Sequence, residues 1–442
     1  MTMDNRVTWM HCKQLGAPQM NGAKNSEGQM LQVLDACLID GFNPQTVTAV
    51  SVTGNLATFT YGTAHGYELR QILVVLGADD PQMNGRHTIT AKTDTSLTIS
   101  LGDVVGAVTT TGTITTKIAP LGFESIFGSV NPLQRAYRSP NLLGTRTVLY
   151  LDMSYPASHG YNTANPAKRA MIDMCEDMTE LGVQINSYTA TYNKKPTNRN
   201  GQLFWYQSRA YKKSVAVNEP QNSDWVIVGN SDYFYMFSTW YSEVGYLMTQ
   251  PLRDIYFFGD TISYGAPTDK MNCGWIGAVA KNDVPPSDQV YYSFNGARIG
   301  GSIDPSFPYG FLIGKVNNAV GLDPFLLSTS DNTSAQVSGY SSDARFNYPA
   351  STTTGYIGQP LLMQTTQNWR GIMPSLHFIP QNLGRGNTSA DTDIYIEPNT
   401  GLDISHTFHD LKVDNGMLIV ALHYSGTISQ AFMGYFALKL GA

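Results

Sequence analysis

Short runs typical of β-strands recur at intervals of roughly ten residues between Gln45 and Lys117, and they limit the possible folds more than any other feature. The runs are rich in Thr and Val: VTAVSV, ATFTY, QILVVLG, HTITAK, SLTISL and TGTITTK. Turn-forming residues separate them, among them Gly54-Asn55, Asn84-Gly85 and Asp94. Because short alternating strands with regular turns are typical of sandwiches, the pattern predicts a small Ig-like β-sandwich over residues 44–118.

Aromatic strands dominate the chain after this unit. The runs are TVLYLDM, QLFWYQ, DWVIVG, DYFYMF, DIYFFG, QVYYSF, GFLIGK and GMLIVALHY. Residues 167–181 have a helix-forming composition, but they follow a strand directly, and we favour a strand there as well. The fold class is therefore predicted to be mainly β, with a β-sandwich-type host domain.

A single amphipathic helix is predicted at residues 26–41. Ser26 and Gln29 have the spacing of a capping box, and Gly41 stands where a helix commonly ends. Apolar side chains recur at spacings of three and four residues, which gives the helix one stripe to bury: Met30, Leu34, Cys37 and Leu38.

The Thr- and Val-rich unit has the character of an insertion. The segment before it, residues 1–43, shares its aromatic style with the chain from residue 119 onward, so we expect both to belong to one host domain. Residues 119–300 would form the β-rich host domain, and residues 301–442 a C-terminal β-rich region with long polar loops.

Composition excludes several classes of protein. Charged residues make up only 14% of the chain and the net charge is −6, which argues against nucleic-acid binding. The longest apolar run, near residues 417–422, is far shorter than the roughly 20 residues of a membrane span. The N-terminal sequence MTMDNRVTW has no hydrophobic region of a secretory signal. We therefore expect the four widely spaced cysteines, Cys12, Cys37, Cys175 and Cys273, to be reduced thiols.

Four groups of polar residues are candidates for a metal-binding or catalytic site. His406 and His409 would lie on opposite faces of a strand, which disfavours a shared metal ion. In FGDTISYG, the place of a hydrolase serine is taken by Thr261. Asp152 and Glu176 cannot be placed at glycosidase distance, and the adjacent His11 and Cys12 point apart on an extended strand. We therefore expect no catalytic residue, no metal site and no cofactor, and predict that the protein is not an enzyme.

The N-terminal segment resembles one group of known proteins. Trp9 and His11 are followed by Gly16-Ala17-Pro18, Asn21-Gly22 and a helix of the pattern LxxVLDACLxxGF. The predicted Thr- and Val-rich sandwich adds the sequence Ala64-His65-Gly66-Tyr67, and similar runs continue to about residue 240. In these features the chain is similar to a family of uncharacterised bacteriophage virion structural proteins. Within this pattern we expect Trp9, His11, Gly16 and Pro18 to be structural anchors that hold the N-terminal segment against the host domain.

The resemblance implies a component of the phage particle, located in the virion after assembly in the bacterial cytoplasm. Its position would be in the tail and its adsorption apparatus, or on the head or neck. The expected partners are copies of itself in a symmetric homo-oligomer and other virion proteins. The alternative is an adhesin that binds a host surface glycan or protein through aromatic side chains such as Tyr340, Tyr348 and Tyr356. A tail-borne depolymerase is a third and weaker hypothesis.

Overall fold

The computed structural model describes most of the N-terminal half of the chain and separate strands of the C-terminal half. The described residues are 6–20, 27–103, 107–154, 168–187, 203–208, 223–240, 252–261, 273–279, 310–316, 325–328, 361–364, 369–372, 374–380, 411–414, 417–423 and 432–440. Within them the fold is mainly β, as predicted from the sequence, with a single short helical segment.

The helical segment follows the first strand, β1 (Thr8–His11), and has two parts. An α-helix, α1, spans Gln29–Leu34, and a π-helix continues it over Asp35–Asp40. The start differs from the predicted capping box, because the N-cap is Gly28, in a left-handed conformation and without a side-chain cap. The predicted end is confirmed: Gly41 follows the last helical residue with a φ of 71°.

The helix is buried along its apolar stripe and held by a polar cluster. Met30, Leu34, Cys37 and Leu38 are fully buried. The Asp35 carboxylate accepts hydrogen bonds from Nε of Arg135 at 2.8 Å and from the hydroxyl of Tyr137 at 2.7 Å. These partners come from the host domain, so the helix belongs to it and not to the inserted unit.

Six strands form the inserted unit, and they close into a barrel. They are β2 (Phe42–Thr53), β3 (Leu56–Tyr61), β4 (Ile72–Ala78), β5 (Gly85–Lys92), β6 (Ser96–Ser100) and β7 (Gly112–Ile118). The predicted strands of this unit are therefore present, but they form a closed barrel and not the predicted Ig-like sandwich.

The barrel closes because two of its strands change partners along their length. The first residues of β2 pair with β7, and those from Val47 onward pair with β3, with a register shift between Val47 and Ala49. In the same way β5 pairs first with β4 and then with β6. Such bulged corners let a sheet bend round and join its own edges.

The host domain begins with a six-stranded sheet. Its strands are β8 (Glu124–Ser125), β9 (Gln134–Arg138), β10 (Val148–Asp152), β11 (Lys168–Glu180), β12 (Val183–Ser187) and β13 (Leu203–Ser208). The ambiguous segment 167–181 is thus a strand, as we favoured, and it pairs with β10, β12 and β13.

The next sheet is antiparallel and nine-stranded, with β1 at one edge. The other eight strands are β14 (Asp224–Gly229), β15 (Tyr233–Trp240), β16 (Leu252–Asp260), β17 (Cys273–Val279), β18 (Gly310–Val316), β19 (Phe325–Ser328), β20 (Leu361–Gln364) and β21 (Trp369–Ile372). This sheet continues across residue 300, where we expected one region to end and the next to begin.

A four-stranded sheet made by β22 (Leu376–Pro380), β23 (Leu411–Asp414), β24 (Met417–His423) and β25 (Phe432–Lys439) completes the described structure. It is tied to the nine-stranded sheet through two tyrosines. The hydroxyl of Tyr233 donates to Oγ of Ser375 at 2.6 Å, and that of Tyr235 donates to the carbonyl oxygen of Pro374 at 2.8 Å.

Most described aromatic side chains of these strands lie in one continuous core. The indole of Trp205, from the six-stranded sheet, stacks on Tyr256 of the nine-stranded sheet with ring centroids 5.2 Å apart. Phe234 meets the same indole edge-on at 6.1 Å. The two sheets therefore face each other across aromatic rings, which is the sandwich arrangement expected for the host domain.

Candidate functional site

Strand β1 lies between the nine-stranded sheet and the barrel and binds both. On one side it pairs with β14, with Trp9 opposite Val228. On the other side the indole Nε1 of Trp9 donates to the carbonyl oxygen of Leu69 at 3.2 Å, and Nε2 of Gln71 donates to the carbonyl oxygen of Trp9 at 2.9 Å. Trp9 is completely buried, and these contacts connect the N-terminal segment to both units.

His11 is a buried member of the same anchor. Its ring stacks on the indole of Trp9 with centroids 5.4 Å apart, and its Nδ1 accepts a hydrogen bond from the amide of Lys13 at 3.3 Å. Burial lowers the pKa of His11 to about 3, with smaller contributions from Lys92 and Lys13. The imidazole is therefore neutral near pH 7 and serves as a packing group.

The thiol of Cys12 is engaged with a different partner from His11. Its Sγ lies 3.3 Å from Oδ1 of Asp224, a carboxylate that also forms an ion pair with Lys13 at 3.0 Å. Burial, followed by the charge of Asp224, raises the pKa of Cys12 far above its ordinary value. The thiol is thus protonated and unsuited to nucleophilic attack.

The turn after β1 depends on Gly16 and Pro18, the other two predicted anchors. Gly16 has a φ of 71°, and a Cβ there would lie 3.2 Å from Cα of Asn43, at the start of the barrel. The carbonyl oxygen of Pro18 accepts a hydrogen bond from Nε1 of Trp225 at 2.9 Å. The turn therefore fits between the barrel and β14.

Four further residues of this junction were not singled out as anchors in the sequence. Nδ2 of Asn43 donates to the carbonyl oxygen of His65 at 2.7 Å, and the hydroxyl of Tyr67 lies 2.9 Å from the carbonyl oxygen of Asn43. Gly66 has a φ of 70°, and a Cβ there would lie 2.7 Å from Cβ of Leu15. The His-Gly-Tyr sequence was visible as part of the resemblance, but its contact with residues 15 and 43 is non-local.

A second group of residues fixes loop 139–147, which joins β9 and β10. The Asp232 carboxylate accepts hydrogen bonds from Nδ2 of Asn141 at 3.0 Å and from Oγ of Ser139 at 3.3 Å. The amide of Thr145 donates to Oδ2 of Asp260 at 2.8 Å, and the Thr145 hydroxyl donates to its Oδ1. Both carboxylates belong to the nine-stranded sheet, so the loop links the two sheets.

The tip of this loop presents two leucines to solvent. Leu142 is 80% exposed and Leu143 is 86% exposed, although the loop that carries them is held at both ends. Adjacent apolar side chains that lie together in solvent form a patch of the kind that marks contact surfaces for other proteins. We call Leu142 and Leu143 the leucine tip.

Asp260 has an unusual protonation equilibrium. Burial raises its pKa to about 6, the hydrogen bonds from Thr145 partly oppose this, and the nearby charge of Asp232 adds to the rise. This is the aspartate of FGDTISYG, and Thr261, which follows it, is buried. The preceding GNSDYF supplies Asp232 from the turn between β14 and β15, where the sequence predicted a turn.

The carboxylates Asp152 and Glu176 lie far apart. Asp152 is opposite Met171 in the register of β10 and β11, and Glu176 is five residues further along β11, a separation of roughly 16 Å. Asp152 accepts hydrogen bonds from Nε2 of Gln134 and the amide of Ser154, whereas Glu176 accepts one from Asn186. The pair therefore does not have the spacing of glycosidase carboxylates.

Other candidates of the sequence lie outside the described residues, namely His406, His409, Tyr340, Tyr348 and Tyr356. In the part of the chain that the structure describes, no group of three or more His, Cys, Asp or Glu side chains could hold a metal ion. The same residues include no helix with the length and apolar character needed to cross a membrane.

In comparisons with known proteins, no family model matched the chain, and no curated protein was significantly similar to it.

Proposed function

We propose that this protein is a structural component of a bacteriophage virion that acts by assembling with copies of itself and with other virion proteins. The resemblance of the N-terminal segment to phage virion proteins carries the assignment to the particle. The exposed leucine tip, on a loop that two carboxylates hold in place, is the structural observation that supports assembly. A fixed apolar loop loses little conformational entropy when a partner covers it, so it is suited to an assembly contact.

The described polar groups of the N-terminal anchor support a structural role. His11 and Cys12 have pKa values moved away from neutrality in the directions that keep both groups uncharged. Their hydrogen-bonding atoms are directed at the chain itself, to Lys13 and Asp224. Residues that resemble a catalytic pair in the sequence thus hold β1 and the turn after it against β14.

The mode of assembly follows from the position of the leucine tip. The tip lies at one end of the six-stranded sheet, next to the ion pairs of Glu124 with Arg138 and Arg146. An apolar centre with charged groups around it is the usual arrangement of a protein interface. We propose that neighbouring subunits contact each other at this end of the sheet.

The test is the location of the chain in phage particles. Particles of the phage that encodes it are purified on a density gradient, washed in high salt and analysed by mass spectrometry, and a density map of the particle is used to count copies. The proposal expects the chain in every particle at a fixed copy number around the tail axis or on the head or neck. Its recovery only in the soluble lysate would contradict the proposal.

A further inference from the structure

Loop 139–147 is attached to two acidic residues that are themselves neighbours. It connects β9 and β10 of the six-stranded sheet, but Asp232 and Asp260 belong to the nine-stranded sheet. The amide of Asp260 donates to the carbonyl oxygen of Asp232 at 3.0 Å, which holds the two residues side by side. Opening of the loop would therefore uncover both carboxyl groups together.

The loop backbone lies directly on the Asp260 carboxyl group. A Cβ at Gly144 would overlap with Oδ2 of Asp260, and the next residue, Thr145, donates to both carboxyl oxygens. As a result Asp260 is only 9% exposed. A charged carboxylate in such a place gives up its hydration when the loop closes.

The charged groups around Asp260 do not offset the free-energy cost of removing water from its carboxylate. On the neighbouring turn the facing group is Asp232, which has the same charge. On the loop, Arg146 donates to the carbonyl oxygen of Pro140 and pairs with Glu124, and on β17 the residue opposite Asp260 is Gly274. Arg138, at the end of β9, also pairs with Glu124 and with Asp177.

We propose that Asp260 and Asp232 form a proton-sensitive latch for loop 139–147, which is closed when Asp260 carries a proton and loosens when Asp260 loses it. A protonated Asp260 still accepts the Thr145 amide through its carbonyl oxygen, and it removes one of the two adjacent negative charges. The latch is a property of the single chain, and only its consequence, pH control over the leucine tip, rests on the proposed function.

The sign of the effect follows from proton linkage. The pKa of Asp260 is about 6 in the closed loop, whereas an aspartate exposed to water has a pKa of roughly 3.9. Opening therefore releases a proton at intermediate pH and becomes more favourable as the pH rises through 6. Between pH 5 and pH 7.5 the equilibrium constant for opening is expected to rise about tenfold.

Hydrogen–deuterium exchange of the full chain tests the latch. Peptides that contain Thr145 are followed at pH 5 and pH 7.5 in the natural protein, in Asp260→Asn and in Asp177→Asn, and each variant is compared with the natural protein at the same pH. Asparagine keeps the shape and, like the protonated acid, has one accepting oxygen and one donating group, but it neither takes up nor releases a proton. Asp177 is a partly exposed acid of the adjoining sheet and serves as the matched control.

The latch predicts that the equilibrium constant for loop opening rises about tenfold more between pH 5 and pH 7.5 in the natural protein and in Asp177→Asn than it does in Asp260→Asn. Equal pH dependence in all three proteins would overturn it. If Asp260→Asn does not fold, exchange in loop 139–147 of the natural protein is compared with that of β5, after correction for intrinsic rates. Loss of loop protection with rising pH, absent from β5, supports the latch, and unchanged protection contradicts it. Exchange is measured at one low protein concentration at which the chain is monomeric, so that neither outcome depends on whether the chain assembles.

Discussion

The indole Nε1 of Trp9 donates a hydrogen bond to the carbonyl oxygen of Leu69, which joins the first strand of the host domain to the inserted barrel. The two residues are sixty positions apart, and Trp9 is at the same time paired with Val228 in the nine-stranded sheet. A single buried side chain thus connects two structural units, so the barrel is a fixed part of the molecule.

Replacement of Trp9 by alanine should be among the most destabilising changes in the chain. Removal of a fully buried indole leaves a cavity and an unsatisfied Leu69 carbonyl group, at a cost of about 3–5 kcal/mol. Trp9→Phe should lower the midpoint of urea unfolding by less, because the ring remains. The exposed Leu142→Ala is the control and should change stability by less than about 0.5 kcal/mol. Equal midpoints for Trp9→Ala and Leu142→Ala would show that the anchor is absent.

Gly41 and Gly54 offer a matched pair of substitutions. Both have a positive φ, of 71° and 60°, but a Cβ at Gly41 would overlap with the carbonyl oxygen of Ile118, whereas Gly54 has open space around it. Gly54→Ala should therefore cost only about 1 kcal/mol for the backbone conformation. Gly41→Ala should cost about 3 kcal/mol or more, since the contact between the helix end and β7 must also move. Thermal unfolding of the two variants measures the difference, and a similar loss for both would mean that the clash is relieved without cost.

The thiols should be almost inert in the folded protein. Cys12, Cys37 and Cys175 are buried, and burial raises the pKa of each well above its ordinary value. With an aromatic disulfide reagent at pH 8, at most one of the four cysteines should react in the native state, whereas all four should react in urea. Rapid reaction of two or more native thiols would contradict this description of the core.

His11 should make the anchor sensitive to acid. Burial lowers its pKa to about 3, whereas the unfolded value is roughly 6.5, so its contribution to stability is complete above pH 6.5 and is lost as the pH falls towards 3. At pH 5 the loss from this group alone is about 2 kcal/mol. Urea midpoints at pH 7.5 and pH 5 should therefore differ less in His11→Gln than in the natural protein. The other buried histidines are common to both proteins, so a larger difference in the variant would refute the assignment to His11.

The sequence allowed local structure to be predicted well where one residue type determines it. Gly41 ends the helix because few other residues tolerate its conformation, and the Asn230-Ser231 turn separates β14 from β15 as expected. The predicted start of the helix at Ser26 was wrong, because tertiary packing determines where the helix begins. Gly28 takes the N-cap position beside the backbone of Pro132, a contact that has no local signal.

Features that depend on distant partners were not predicted. A sandwich and a barrel have the same alternating strands, and the choice between them rests on β2 and β5 exchanging partners midway. Trp9 was recognised as an anchor, but its partners at residues 69 and 228 were not. Likewise, the sequence showed Asp260 only as part of the FGDTISYG motif. Its contacts depend on Thr145, which lies in the loop between β9 and β10 of the other sheet.

Sedimentation velocity of the purified chain over a wide range of concentrations is the most direct test of assembly through the leucine tip. The natural protein, the double variant Leu142→Ser with Leu143→Ser, and the barrel variant Leu76→Ser are compared, because Leu76 is also exposed but belongs to β4 of the barrel. We predict larger species that grow with concentration for the natural protein and for Leu76→Ser, and their loss in the double variant. A natural protein that sediments as a monomer at every concentration, with the double variant indistinguishable from it, would contradict the proposed assembly role.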